Sequence, residues 1–89
     1  MTVVVTETEL RRRLLEFVRT RFLAGDPRGE LDERTPLLEL GILDSLNTAV
    51  LLTFVKDELS VRVPHSEINA TNFASVASIA GTISALSAS

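Results

Sequence analysis

Cysteine is absent from this 89-residue chain, and so are tryptophan and tyrosine. Without a thiol there is neither a disulfide framework nor a thiolate metal site to support a small core, and cysteine usage gives no reading of the redox compartment. Four phenylalanines supply the whole aromatic content of 4%, which argues against stacking platforms for bases or sugars. No stretch approaches the ~20 apolar residues of a membrane span. The N-terminal MTVVVTETELRRR places its basic residues after a short apolar run, the reverse of a secretory signal. These absences lead to the expectation of a cytoplasmic protein with no membrane partner.

The chain also lacks the means of catalysis. His65 is the single histidine, and it follows Pro64 with no nucleophile or orienting carboxylate at a spacing that catalysis requires. The remaining candidate metal ligands are carboxylates without a calcium-loop pattern. His65 reads as a surface loop residue, and neither an enzyme nor a metal protein is expected.

What is present is apolar residues, at 45% of the chain. A chain of this length buries only ~60–65% of the surface exposed when unfolded, so residues 1–89 read as one small domain of modest stability. The net charge of −3 is unevenly distributed. Seven arginines balance seven acids up to residue 36. From residue 37 onward, Lys56 and Arg62 face Glu39, Asp44, Asp57, Glu58 and Glu67, so the C-terminal half carries the whole excess. That sign repels phosphate backbones, which excludes nucleic acid as a partner and favours a basic protein surface.

Hydrophobic spacing is helical throughout. Leu10, Leu14, Phe17, Val18 and Phe22 form one stripe, predicting a first helix over about residues 8–23, capped by Thr6 or Thr8 and stopped near Gly25-Asp26-Pro27. Arg11, Arg12 and Arg13 on it have Glu7, Glu9 and Glu16 at helical spacing, so the triplet reads as a solvated face and not a nucleic-acid patch. Residues 25–43 form a long connection in which Leu31, Leu37, Leu38, Leu40, Ile42 and Leu43 are expected to anchor the loop across the helices. A second helix is predicted from near Asp44 to about Leu59. Its apolar residues, Leu46, Ala49, Val50, Leu52, Thr53, Phe54, Val55 and Leu59 in this reading, cover over half its circumference, which predicts a central position.

Val61-Arg62-Val63-Pro64 reads as extended. A short helical turn around Asn69 to Phe73 and a last helix from about Ser75, its N-cap, to Leu86 follow. Residues 1–5 and 87–89 are expected to fray. The fold class is all-α: a small four-helix bundle, three main helices and one short one, with a long loop between helices 1 and 2.

The segment LLELGILDSLNTAV puts one serine where loop becomes helix. Ser45 or Asp44 could each be the cap. If Asp44 caps, the Ser45 hydroxyl is left free at the positive end of the helix dipole, where a phosphoester is favoured.

The run from Thr35 to Leu46, TPLLELGILDSL, resembles the segment around the phosphopantetheine attachment serine of acyl and peptidyl carrier proteins, whose core is Asp-Ser-Leu after Gly-x-x. The resemblance extends over most of the chain. It implies a carrier without enzymatic activity, holding an acyl or aminoacyl group as a thioester on 4′-phosphopantetheine at Ser45, in pathways of the nonribosomal peptide, polyketide or antibiotic type. Since the chain has no cysteine, its thiol must be borrowed.

The implied partners are a phosphopantetheinyl transferase, an adenylating or acyl-activating ligase, and a downstream tailoring or condensing enzyme, meeting a monomeric carrier. The implied partner-reading face is Asp44, Leu46, Asn47, Val50, Thr53 and Asp57. Gly41 to Asn47, Val63 to Ile68 and Asn72 to Val76 look like free-standing aminoacyl carriers, of the D-alanyl or prolyl kind. The initiating methionine and short tails suit a stand-alone protein, an excised synthase domain being the other reading.

Two positions depart from the acidic pattern of fatty acid carriers. Val50 stands where an acid is common, and Lys56 sits among the later acids. A dedicated partner making apolar contact at Leu46 and Val50 is therefore expected, or else Val50 is core. The competing class is a helical interaction module without a prosthetic group, in which Ser45 only caps and the second helix docks a partner.

Overall fold

The computed structural model describes residues 6–26, 29 and 31–87. Three α-helices carry the fold: α1 Glu7–Phe22, α2 Ser45–Leu59 and α3 Val76–Ser87, with a 3-10 turn at His65–Glu67. No strand occurs among the described residues. The all-α class and the long first connection agree with the sequence reading. Ser87, expected to fray, is the last residue of α3, and the remaining tail positions lie outside the described residues.

Each helix starts where its side chains can replace missing backbone partners. Thr6 caps α1 by accepting the Glu9 N–H at 3.1 Å. Ser75 Oγ accepts the Ser78 N–H at 3.2 Å at the head of α3. The α1 stop is a left-handed run, with Ala24 at φ 50°, Gly25 at 89° and Asp26 at 53°, in which the Gly25 N–H returns to the Arg19 carbonyl at 2.9 Å. α2 ends on Ser60 at φ 57°, with the Val61 N–H donating to the Val55 carbonyl at 3.3 Å, a Schellman-type closure.

A 3-10 turn that the sequence reading did not expect precedes the helical turn that it did. Pro64 precedes a 3-10 turn at 65–67, and residues 69–73 form the single helical turn expected there, closed by the Phe73 N–H on the Asn69 carbonyl at 3.1 Å, with Asn69 Oδ1 accepting the Asn72 N–H at 2.8 Å. Asparagine at that position produces the same local signal as a helix cap. The Asn72 amide also donates to the Glu67 carbonyl at 2.9 Å, joining the two turns.

The core is Leu10, Leu14 and Val18 from α1, Leu51 and Val55 from α2, Val76, Ile79, Ala80 and Ile83 from α3, and Leu31, Leu37, Leu43 and Phe73 from the connections. The closest backbone approach is between α1 and α3, not around α2 as expected. The reason is side-chain size: buried Ala80 and neighbouring small residues let α3 approach, whereas leucine and phenylalanine hold the α2 axis off. Leu51, fully buried, is the α2 core residue missing from the sequence-derived set.

The long loop is anchored in part. Leu31, Leu37 and Leu43 are buried and Ile42 packs against the core, but Leu38 and Leu40 are exposed. The Leu37 N–H donates to the Ala74 carbonyl at 2.8 Å and the Ala77 N–H to the Glu33 carbonyl at 2.9 Å, so backbone bonds fasten the loop to the head of α3. Arg11 adds an ion pair to Glu33 at 3.7 Å.

On α1 the arginine triplet is neutralised locally. Arg11 pairs with Glu7, and Arg12 and Arg13 both pair with Glu9. The hydrogen bond from Arg12, then that from Arg13, holds the Glu9 carboxyl at about 2, below its ordinary 4.5. Since the folded value is the lower one, this contribution to stability is complete above pH 4.5 and is lost as pH falls toward 2. A carboxyl-detected NMR titration should place Glu9 near 2; titration at its ordinary value would show that the pairs do not persist in solution.

Burial also separates the leucines of α2. Leu51→Ala should cost about 2–5 kcal/mol through cavity formation, and Leu46→Ala, at a position 72% exposed, should stay within about 0.5 kcal/mol. Urea unfolding of the two variants measures the difference.

Candidate functional site

The turn preceding α2 is built by its own backbone. The Leu40 N–H donates to the Pro36 carbonyl at 3.1 Å, and the Ile42 and Leu43 N–H groups both reach the Leu37 carbonyl, at 2.9 and 3.1 Å. Gly41 completes the reversal at φ 73°, a conformation strained for any residue with a Cβ. Leu37 and Leu43 point into the core. Consequently Leu38 and Leu40, between them, face outward beside the start of α2, at 37% and 63% exposure.

Asp44 is the cap of α2. Its backbone is extended and its Oδ1 accepts the Asn47 N–H at 2.8 Å. Ser45 is thereby the first helical residue and exposed, and its hydroxyl makes no hydrogen bond among the described residues. The Ser45 and Leu46 N–H groups likewise have no partner among the described residues. No acidic side chain stands within the first turn itself. An exposed hydroxyl beside free N–H donors at a helix start fits a phosphoester, which would meet the helix dipole and those amides.

The other sequence-derived positions divide by geometry. Leu46, Val50, Thr53 and Asp57 follow one another at four, three and four residues, so they share a stripe of α2. Leu46, Thr53 and Asp57 are exposed and Val50 is half-buried, which rules out full core burial for Val50. The Thr53 hydroxyl bonds back to the Ala49 carbonyl at 3.1 Å. Asn47 lies off this stripe: its amide donates to the Ile42 carbonyl at 2.9 Å and fastens the helix start to the preceding turn. His65 is exposed in the 3-10 turn, as the sequence suggested. Among the described residues no cluster of acids or histidine could hold a metal, and no helix is long and apolar enough to cross a membrane.

Sequence reasoning did not anticipate the surface where α1 meets α2. There the Phe17 and Phe54 rings stack with centroids 4.2 Å apart and planes 23° from parallel. Phe17 was assigned wholly to the core stripe of α1, and nothing in the helical period distinguishes the middle of such a stripe from its border.

No protein-family model matches the chain. The probable acyl carrier protein PigG of Serratia sp. (strain ATCC 39006) is 38% identical to it over 79 residues, spanning 89% of this chain and 90% of that protein. A solved chain described as "Crystal structure of FAD-dependent dehydrogenase" superposes with a TM-score of 0.73 and 41% identity, over 79% of this chain and 97% of that one. With such identity to PigG across nearly all of both chains, and a helical fold that presents a free serine at the head of α2, this chain belongs to the acyl carrier protein family.

Proposed function

We propose that this protein, as a single carrier domain, holds an aminoacyl group as a thioester on 4′-phosphopantetheine attached to Ser45. The observation that carries the reading is the division of labour at the head of α2: Asp44 caps and the Ser45 hydroxyl is free. In the modification step the Ser45 oxygen attacks the β-phosphate of coenzyme A inside a phosphopantetheinyl transferase, and 3′,5′-adenosine bisphosphate leaves. The arm then supplies the thiol that the cysteine-free chain lacks.

One observation supports an aminoacyl cargo over a fatty acyl one, and a second bears on the partner. Val50 and Lys56 reduce negative charge on α2 where fatty acid carriers are acidic. The second is the solved relative described as an FAD-dependent dehydrogenase: the match fills 97% of that chain with 79% of this one, so that chain is the shorter of the two. A chain of that size has no room for a dinucleotide-binding sheet with its crossover helices, which suits a carrier in the company of a flavoenzyme.

The thioester carbonyl acidifies the adjacent C–H. A flavin-dependent dehydrogenase would use that acidity to desaturate the cargo beside the carbonyl, its flavin supplying the two-electron oxidant, while this chain's part would be to hold the thioester at Ser45. The partners in this reading are the transferase, an adenylating ligase that loads a small amino acid, and a flavin-dependent dehydrogenase. Secondary metabolism of the nonribosomal peptide type, in the cytoplasm, is the setting. Leu46 and Asp44 border the modification site and are placed to be read by these enzymes.

Intact mass after incubation with coenzyme A and a promiscuous transferase tests the attachment. Wild type should gain one phosphopantetheine and Ser45→Ala none, with unchanged unfolding; an unlabelled wild type would leave the prosthetic-group-free helical module as the better reading. Asp44→Ala should destabilise by about 0.5–2 kcal/mol through loss of the cap and should slow labelling, because its carboxylate borders the site a basic transferase approaches. Thermal unfolding and a labelling time course measure the two effects separately.

A further inference from the structure

We propose that residues 61–63 are an edge to which a partner protein adds one extended segment, with a single acidic side chain of that segment held between Lys56 and Arg62. The site lies apart from the modification end, since Lys56 is ~16 Å further along the helix axis than Ser45, and it stands whether or not the serine is modified.

From residue 37 onward Lys56 and Arg62 are the only lysine and arginine of the chain. Both line one cleft of about 190 Å³, together with Leu52, Val61 and Val63. Both side chains are exposed, and neither has an ion pair or hydrogen bond among the described residues. The positions three and four residues from Lys56 are Leu52, Thr53, Leu59 and Ser60, so α2 offers it no acid at helical spacing. The acids next to it in sequence, Asp57 and Glu58, line the clefts beside α1 instead. Two unpaired cations on an aliphatic cleft suit a carboxylate on a short apolar stem: the methylenes of a glutamate meet Leu52, Val61 and Val63, and its oxygens meet the two cations.

The backbone supplies the second half of the site. Val61 and Val63 are half-buried and Arg62 is exposed, the alternation of a strand with one face on the protein. The Val61 N–H donates to the Val55 carbonyl at 3.3 Å. In an extended chain, neighbouring residues direct their N–H and C=O groups to opposite edges. Those of Arg62 therefore turn away from the end of α2, and neither has a partner among the described residues. A donor and an acceptor on one residue are what antiparallel pairing uses, because two opposed residues exchange both bonds. Pro64 has no N–H and ends the edge, which centres the register on Arg62. A second copy of this chain is a poor occupant, since antiparallel pairing of two such edges sets Arg62 against Arg62, and like charges directly opposite are destabilising. The net charge of −3 also repels a run of acids, so the fitting segment carries one acid among apolar residues.

The test titrates the isotope-labelled full chain with a capped peptide, Thr-Val-Glu-Val-Thr, and follows the amide signals. Shifts should appear at Leu52, Lys56, Arg62 and Val63, saturating at millimolar peptide, as befits a short added strand. Replacing the peptide glutamate by glutamine should weaken binding about tenfold or more. Lys56→Glu combined with Arg62→Glu should do the same and should reverse the preference toward a peptide with lysine in place of the glutamate. Both positions are exposed, so this variant should melt as wild type does, and the peptide substitutions keep the test decisive if it does not. Methylating the glutamate nitrogen should also weaken binding about tenfold, because it removes the donor to the Arg62 carbonyl. Equal affinity for the glutamine peptide or in the reversed variant would overturn the acid site. Equal affinity of the methylated peptide, or of glutarate alone, would overturn strand addition, and absence of shifts at millimolar peptide would overturn both. A chain that the transferase does not label overturns the reading of Ser45 and leaves this site standing.

Discussion

One hydrogen bond, from the Asn47 N–H to Asp44 Oδ1 at 2.8 Å, determines what the head of α2 can do. A helix start presents donors that must be satisfied, and aspartate and serine are about equally able to satisfy them. Had the serine been chosen, its oxygen would be engaged with the backbone and the helix would start one residue later. With the aspartate in that role, the serine is displaced into the first turn, where its oxygen is exposed. The neighbouring Asn47 amide, on the Ile42 carbonyl at 2.9 Å, prevents the preceding turn from swinging over the site. Nearby, the turn is tied to α3 through Leu37 and Ala74. The geometry of a surface hydroxyl is thus maintained by contacts that reach the core.

The same economy explains why α2 has two apolar faces. Leu51 and Val55 are its fully buried residues, with Leu52, Phe54 and Leu59 packed against the core at its edge, while α1 and α3 make the more extensive backbone contact and supply most of the buried residues. Leu46 and Val50 are then apolar without being part of the core, and Phe54 packs against its edge. A lone exposed leucine is ordinary. Three apolar residues in register, leading from the Ser45 end of α2 to an aromatic stack, form a continuous surface of the kind that marks interaction sites.

Legibility in the sequence followed periodicity. The three helices and the Ser75 cap could be read, with the α1 cap narrowed to Thr6 or Thr8, because apolar spacing and polar caps are local properties. Where the period stops, burial could not be read: Leu37, Leu38, Leu40 and Leu43 look alike in sequence, yet backbone hydrogen bonds within the turn send the first and last inward and the middle pair outward. The choice between Asp44 and Ser45 was open for a related reason, since both residues cap and only the backbone geometry distinguishes them. The helical turn at Asn69 to Phe73 was legible because its signal is local: the Phe73 N–H closes it on the Asn69 carbonyl, and the Asn69 side chain accepts the Asn72 amide. The centrality of α2 was overestimated, as its broad apolar arc was read as core when part of it remains at the surface.

The distribution of charge completes the physical picture. Along α1, Arg11, Arg12, Arg13 and Arg19 pair with Glu7, Glu9 and Glu16 of the same helix, so little of that charge remains to act at a distance, and Arg21 is the exception. On α2 the carboxylates of Asp57 and Glu58 have no such partner among the described residues. Free surface charge contributes more to the rate of encounter than to the lifetime of a complex. A carrier must release one enzyme before meeting the next, so it benefits from fast association without tight holding. The exposed apolar residues of α2 supply contact only once the surfaces are aligned, and their small area keeps that contact weak. Attraction at long range and modest adhesion at short range are the two properties that the proposed carrier role requires, and on α2 exposed acids and exposed apolar residues are different residues of one helix.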